Sequence, residues 1–196
     1  MPESLKSQDK TSLEFDEVIK RCHEIFFKKT LDYGTAWRIL RLESITDQIY
    51  IKALRIRTLE DSSHSMIDEG IPSEFMGIVN YSVIALIQIS MKGEESLSLE
   101  PEMVNNLYKE MILETKTLMF SKNHDYGEAW RNMRVSSMTD LILMKLLRIK
   151  QIEDNKGGTL ISEGVKAGYQ DILNYSVFAL IKLQPGFHSG DINSSL

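Results

Sequence analysis

Apolar positions recur every three or four residues through three long stretches of the chain, and then the series repeats. Val18, Ile19, Cys22, Ile25, Phe26 and Phe27 form one stripe, which predicts a helix from about Leu13 to Thr30. Its counterpart from about Pro101 to Asn123 carries Val104, Leu107, Met111, Ile112, Leu118, Met119 and Phe120. A second pair of helices begins at Ser44 and Ser137. Each Ser stands three residues before an acid, Asp47 or Asp140, which resembles a capping box. These helices run to Glu60-Asp61 and Glu153-Asp154, where Arg57–Asp61 and Lys150–Asp154 have the spacing of surface i,i+4 pairs. The third pair starts near Glu69-Gly70 and Glu163-Gly164 and turns almost wholly apolar after Asn80 and Asn174. No stretch alternates convincingly with a period of two, so the expected fold is all-α.

The recurrence is a duplication. Aligned without a gap, Asp32–Asp61 and Asp125–Asp154 share 17 of 30 residues, and Glu69–Gln88 and Glu163–Lys182 share 10 of 20. A unit of roughly ninety residues is too long for a solenoid repeat. The expected architecture is therefore a tandem pair of roughly three-helix units forming one pseudo-symmetric bundle. The expected limits are a flexible N-terminus at 1–12, helical repeats at 13–92 and 101–184, and a flexible tail at 185–196. The closest likeness lies after the first helix, in Asp32-Tyr33-Gly34-Thr35-Ala36-Trp37-Arg38 and Asp125-Tyr126-Gly127-Glu128-Ala129-Trp130-Arg131. Both tryptophans of the chain sit there, and Gly34 and Gly127 supply the turn that stops each helix.

Composition narrows the function more than the fold. The net charge of −5 offers no footprint for duplex nucleic acid, and the single Cys excludes an intramolecular disulfide or a Cys-based metal cage. Cys22 reads as a small buried hydrophobe. With no apolar leader and no long apolar run, the expectation is a cytoplasmic protein without membrane partners, whose self-association the sequence leaves open.

Polar identities kept in both copies are the candidate chemistry. They include Asp32/Asp125, Arg38/Arg131, Lys52/Lys145, Arg55/Arg148, Glu69/Glu163 and Asn80/Asn174. Together they offer carboxylates for Mg²⁺ and cations for phosphate oxygens. Glu163 and Asn174 are eleven apart and so project along one line of a helix, with Asp171 displaced from it by about eighty degrees. The opposing expectation is a non-catalytic scaffold or interaction module whose duplicated charges form salt bridges between the repeats. On that view Asp47 and Asp140 are helix caps and the tryptophans are core anchors.

The segment Lys122-Asn-His-Asp-Tyr-Gly127, the basic helix with Lys145 and Arg148, and Glu163 followed by Asp171-Ile-Leu-Asn-Tyr175 resemble the nucleotide modification associated domain 1 family in its duplicated form. That resemblance implies a link to nucleotide metabolism. Its helical plan is more distantly similar to the all-α nucleoside triphosphate pyrophosphatases of the MazG and dimeric dUTPase type, which hold Mg²⁺ with clustered acids. For this chain the resemblance implies binding of a nucleotide or phosphorylated metabolite, with Mg²⁺-dependent hydrolysis as the furthest extension. Asp125, Glu163, Asp171 and Glu69 would hold metal, and the first three would also position the attacking water. Arg131, Lys145 and Arg148 would meet the phosphates, Tyr126 or Trp130 would stack on a base, and Asn174 would join them. The first copy would contribute Asp32, Tyr33, Trp37, Arg38, Lys52, Arg55 and Asn80. Two departures weaken the metal cluster: Ile51/Met144 and Ser73/Ala167 stand where single-copy members carry acids, and Gly77 replaces the counterpart of Asp171.

Overall fold

The computed structural model describes residues 3–61, 70–155 and 164–184, with the side chains of 3–9, 124 and 126 outside that description. Six α-helices result: α1 (Glu3–Tyr33), α2 (Leu42–Asp61), α3 (Ile71–Ser90), α4 (Pro101–Tyr126), α5 (Val135–Asp154) and α6 (Val165–Lys182). There is no strand among the described residues, and the two halves repeat helix for helix, as the apolar pattern predicts.

At the centre α3 and α6 pack on each other, and α2 and α5 cover them and pack together in turn. The near-continuous apolar runs of α3 and α6 follow from that position, because neighbours surround them on most sides. By length and hydropathy alone α3 would suffice to cross a membrane, but 56% of that window is buried inside the protein. The outer helices cross over. Helix α1 packs on α6 as well as on α3, and α4 packs on α3 as well as on α6. Each repeat thus completes the core of the other.

Several boundaries differ from the sequence expectation. The first helix begins at Glu3, ten residues before the expected Leu13, and within the added length Thr11 is fully buried with its hydroxyl bonded to Glu128 of the second repeat. Helices α2 and α5 start at Leu42 and Val135, two residues before the expected caps. Asp47 and Asp140 therefore do not cap. Instead Lys150 Nζ meets Asp47 at 2.6 Å and Arg57 meets Asp140 at 3.8 Å, replacing the expected pairs to Asp154 and Asp61. Thr46 Oγ1 donates to Glu153 at 2.7 Å, and Thr139 Oγ1 donates to Glu60 at 3.0 Å. These four contacts are two pseudo-symmetric copies of one clasp between antiparallel α2 and α5. Part of the duplicated charge thus joins the repeats. The tail 185–196 lies outside the described residues.

Candidate functional site

Each first helix ends at a glycine in the left-handed region, Gly34 at φ 61° and Gly127 at φ 59°, which only glycine adopts without cost. Gly34 N–H bonds Thr30 O and Gly127 N–H bonds Asn123 O, both at 2.9 Å, and a short 3-10 turn comes next, Ala36–Ile39 or Ala129–Asn132. This turn swings the tryptophan back over helix three. Beneath it, between helices one, two and three of the same repeat, each half opens a cleft.

The first cleft has a volume of about 580 Å³ and the second about 460 Å³, both within the range of small-molecule sites. All eleven residues lining the second cleft stand at positions whose counterparts line the first. Lys122 matches Lys29, Trp130 matches Trp37, Lys145 matches Lys52, Asn174 matches Asn80 and Tyr175 matches Tyr81. The duplication thus preserves a cavity as well as a fold.

The chemistry of the two clefts has diverged at one pair, Gly77 and Asp171. In the second repeat Asp171 Oδ1 lies 2.5 Å from Lys122 Nζ and Oδ2 lies 2.7 Å from Lys145 Nζ. One carboxylate thereby bridges both lysines of that cleft. In the first repeat Lys52 lies across Gly77, where a Cβ would come within 2.9 Å of its side-chain carbons. Its ammonium reaches the buried Glu74 at 3.1 Å, and Arg55 bonds the other oxygen of that carboxylate. Glu74 is set one turn from Gly77 and is not part of the cleft lining. Lys29 is exposed, lines the first cleft, and has no ionic or hydrogen-bonded partner among the described residues. No described residue lining that cleft carries a carboxylate.

The aromatic walls differ too. Trp130 is buried and stacked on Phe178, with centroids 4.3 Å apart and planes 5° apart, and the Arg131 guanidinium lies 4.4 Å from its centroid. Those internal contacts make it a packing anchor in the wall of the second cleft. Trp37 is half-buried, with no ring stacked on it among the described residues, and Tyr33 is 73% exposed at the rim. Both indole N–H groups are buried without a hydrogen-bond partner, as is Asn174 Oδ1. Asn80 is committed elsewhere: it donates to Cys22 O and accepts from the Tyr108 hydroxyl, both at 3.0 Å.

Other expected site residues are placed away from the clefts. Arg38 bonds Gln88 and the carbonyls of Glu94 and Ser96, tying the turn to the connection between repeats. Arg131 bonds Glu128 at 2.8 Å and Glu14 at 2.7 Å. Both arginines hold the turn in place through these partners. Asp32, Asp125 and Arg148 are exposed and, like Arg55, absent from the described lining of either cleft. Glu69, Glu163 and the side chain of Tyr126 lie outside the described residues. No group of three or more His, Cys, Asp or Glu among the described residues is arranged to hold a metal ion. Sequence reasoning missed Lys29/Lys122 and Tyr81/Tyr175 as lining residues, although both pairs are identical between copies. It also missed Glu74, whose counterpart is Gly168.

The comparisons with known proteins agree with the duplication. The family model described as nucleotide modification associated domain 1 matches residues 29–89 and again 122–183, more than half of the chain. The chain belongs to that family. Both matched regions begin at the cleft lysine, Lys29 or Lys122, and run to the end of helix three. No curated protein and no solved structure matches the chain.

Proposed function

We propose that this member of the nucleotide modification associated domain 1 family binds a nucleotide or related phosphorylated metabolite, and does so in the first cleft. The observation that carries the reading is the pairing of a cation with no partner among the described residues, Lys29, with a cleft whose described lining has no carboxylate. Lys29 and Lys52 supply charge-assisted donors for an anion. Tyr33 and Trp37 supply an aromatic wall for a planar group, and Trp37 Nε1 is a buried donor that gains from a polar partner.

Pyrophosphatase-like hydrolysis of the MazG type is the furthest step the family likeness suggests, and it calls for Mg²⁺. The described residues do not fit that ion, because the one carboxylate lining either cleft, Asp171, has both oxygens on lysine ammonium groups. The proposal is therefore binding, with no catalytic step. A scaffold role is favoured for the second repeat by a specific observation. Its cleft cations are closed into ion pairs of which Lys145 and Asp171 are only 13% and 12% exposed.

A thermal-shift panel of nucleoside mono-, di- and triphosphates on wild-type protein and Lys29→Ala tests the reading. The expected result is stabilisation of wild type by at least one class of ligand, lost in the variant. Equal shifts in both proteins, or no shift with any ligand, contradict it.

A further inference from the structure

The second cleft already contains an anion, and it is part of the chain. Two ammonium groups on separate helices, Lys122 on α4 and Lys145 on α5, take opposite oxygens of the Asp171 carboxylate at 2.5 and 2.7 Å. Cations converging from two elements on one two-oxygen group are the arrangement by which proteins hold carboxylate and phosphate ligands. The first repeat keeps both cations at equivalent positions, Lys29 and Lys52, but residue 77 is glycine, so no carboxylate bridges them and only Lys52 meets an acid, Glu74.

A second observation points the same way. The second cleft is lined by a buried donor, Trp130 Nε1, and a buried acceptor, Asn174 Oδ1, neither with a hydrogen-bond partner. The counterpart of Asn174 is fully used, because Asn80 spans Cys22 O and the Tyr108 hydroxyl. Packing alone gives no reason to leave polar atoms unmet in a cavity.

We infer that Asp171 is a built-in ligand: its carboxylate fills the anion subsite of the second cleft and blocks it. The first cleft, with Gly77 in that place, has room for an external anion, a phosphate monoester group, at Lys29 and Lys52. The chain therefore binds one such ligand per molecule in spite of its two clefts. This deepens the first-cleft reading and rests on it for the site that works, whereas the blocking role of Asp171 stands on the second repeat alone.

The two claims separate in one titration. Nucleoside 5′-monophosphates, and inorganic phosphate as an anion-only probe, are titrated calorimetrically into wild type, Asp171→Ala and the isosteric Asp171→Asn. Wild type is expected to bind one equivalent. Each Asp171 variant is expected to gain a second site, with affinity for phosphate there raised roughly tenfold or more, since the Lys122 ammonium loses its carboxylate. Adding Lys122→Ala to either variant should remove the new site and leave the first. A folded Asp171 variant that stays at one equivalent, or wild type that binds two, overturns the inference. Wild type that binds none while the variants bind one overturns the first-cleft reading and supports the blocking role. If Asp171→Ala does not fold, Asp171→Asn carries the same comparison.

Discussion

Positions 77 and 171 differ by one carboxymethyl group, and the electrostatics of the two clefts follow from that difference. Removing the Lys29 ammonium should weaken a phosphate ligand by the value of one charge-assisted hydrogen bond, about 1.5–3 kcal/mol. That corresponds to a loss of roughly ten- to a hundredfold in Kd, read by titration, with little change in Tm because Lys29 is exposed and unpartnered among the described residues. The glycines of helix three make a separate prediction about stability. A Cβ at Gly168 would come within 2.9 Å of Ile149, whose side chain is buried and branched, whereas at Gly77 it meets only the flexible arm of Lys52. Gly168→Ala should therefore destabilise, by about 1–3 kcal/mol of overpacking. In Gly77→Ala the displaced arm costs little and the helix propensity of Ala offsets it. Thermal melts of the two variants check the order. Cys22 behaves as its pattern suggested: burial pushes its thiol up to about 12, so it should resist thiol reagents until the protein unfolds. Not every residue was so legible. Retention of Arg38 and Arg131 in both copies reports a repeated turn, and apart from Glu128 their partners lie 50 to 120 positions away in sequence, beyond the reach of local spacing.

At the scale of elements, the clasp between α2 and α5 is where duplicated charge is structural. Glu60 and Glu153 both have their pKa raised from the ordinary 4.5, first by burial, against the lowering effect of the Thr139 and Thr46 hydroxyls. A carboxyl whose folded pKa exceeds its unfolded value holds its proton more tightly when folded. Its stabilising contribution is fully present below pH 4.5 and is lost as pH rises through the folded value. The variant Glu60→Gln/Glu153→Gln should thus gain most over wild type at pH 7, and the difference should shrink as pH falls toward 5. Denaturant melts across that range measure it, and a difference independent of pH counts against the clasp as described. Helix identity and order were readable from the 3.6-residue period alone. The caps were not, since Ser44-x-x-Asp47 has the spacing of a capping box while the helix begins two residues earlier. The two extra residues begin at Leu42 and Val135, which pack against the core, and no local signal encodes that.

For the whole molecule, duplication was plain in the sequence but the crossing of α1 and α4 onto the opposite repeats was not. The apolar stripe of an outer helix shows that it is covered without naming the element that covers it. One consequence is testable. A fragment of residues 94–196 keeps α4, α5 and α6 but exposes the face of α6 that α3 and α1 cover. It should fail to unfold cooperatively as a monomer, seen by circular dichroism with size-exclusion chromatography, and a cooperative monomeric transition would contradict the interdependence of the repeats. The central claim is that the first cleft, and not the second, receives the ligand, and the chain carries its own reporters. Its two tryptophans stand one in each cleft. Fluorescence titration of a nucleoside 5′-phosphate into Trp130→Phe, where Trp37 alone emits, should give saturable quenching that Lys29→Ala abolishes, while Trp37→Phe should stay silent. A response from Trp130 with none from Trp37 would contradict the account.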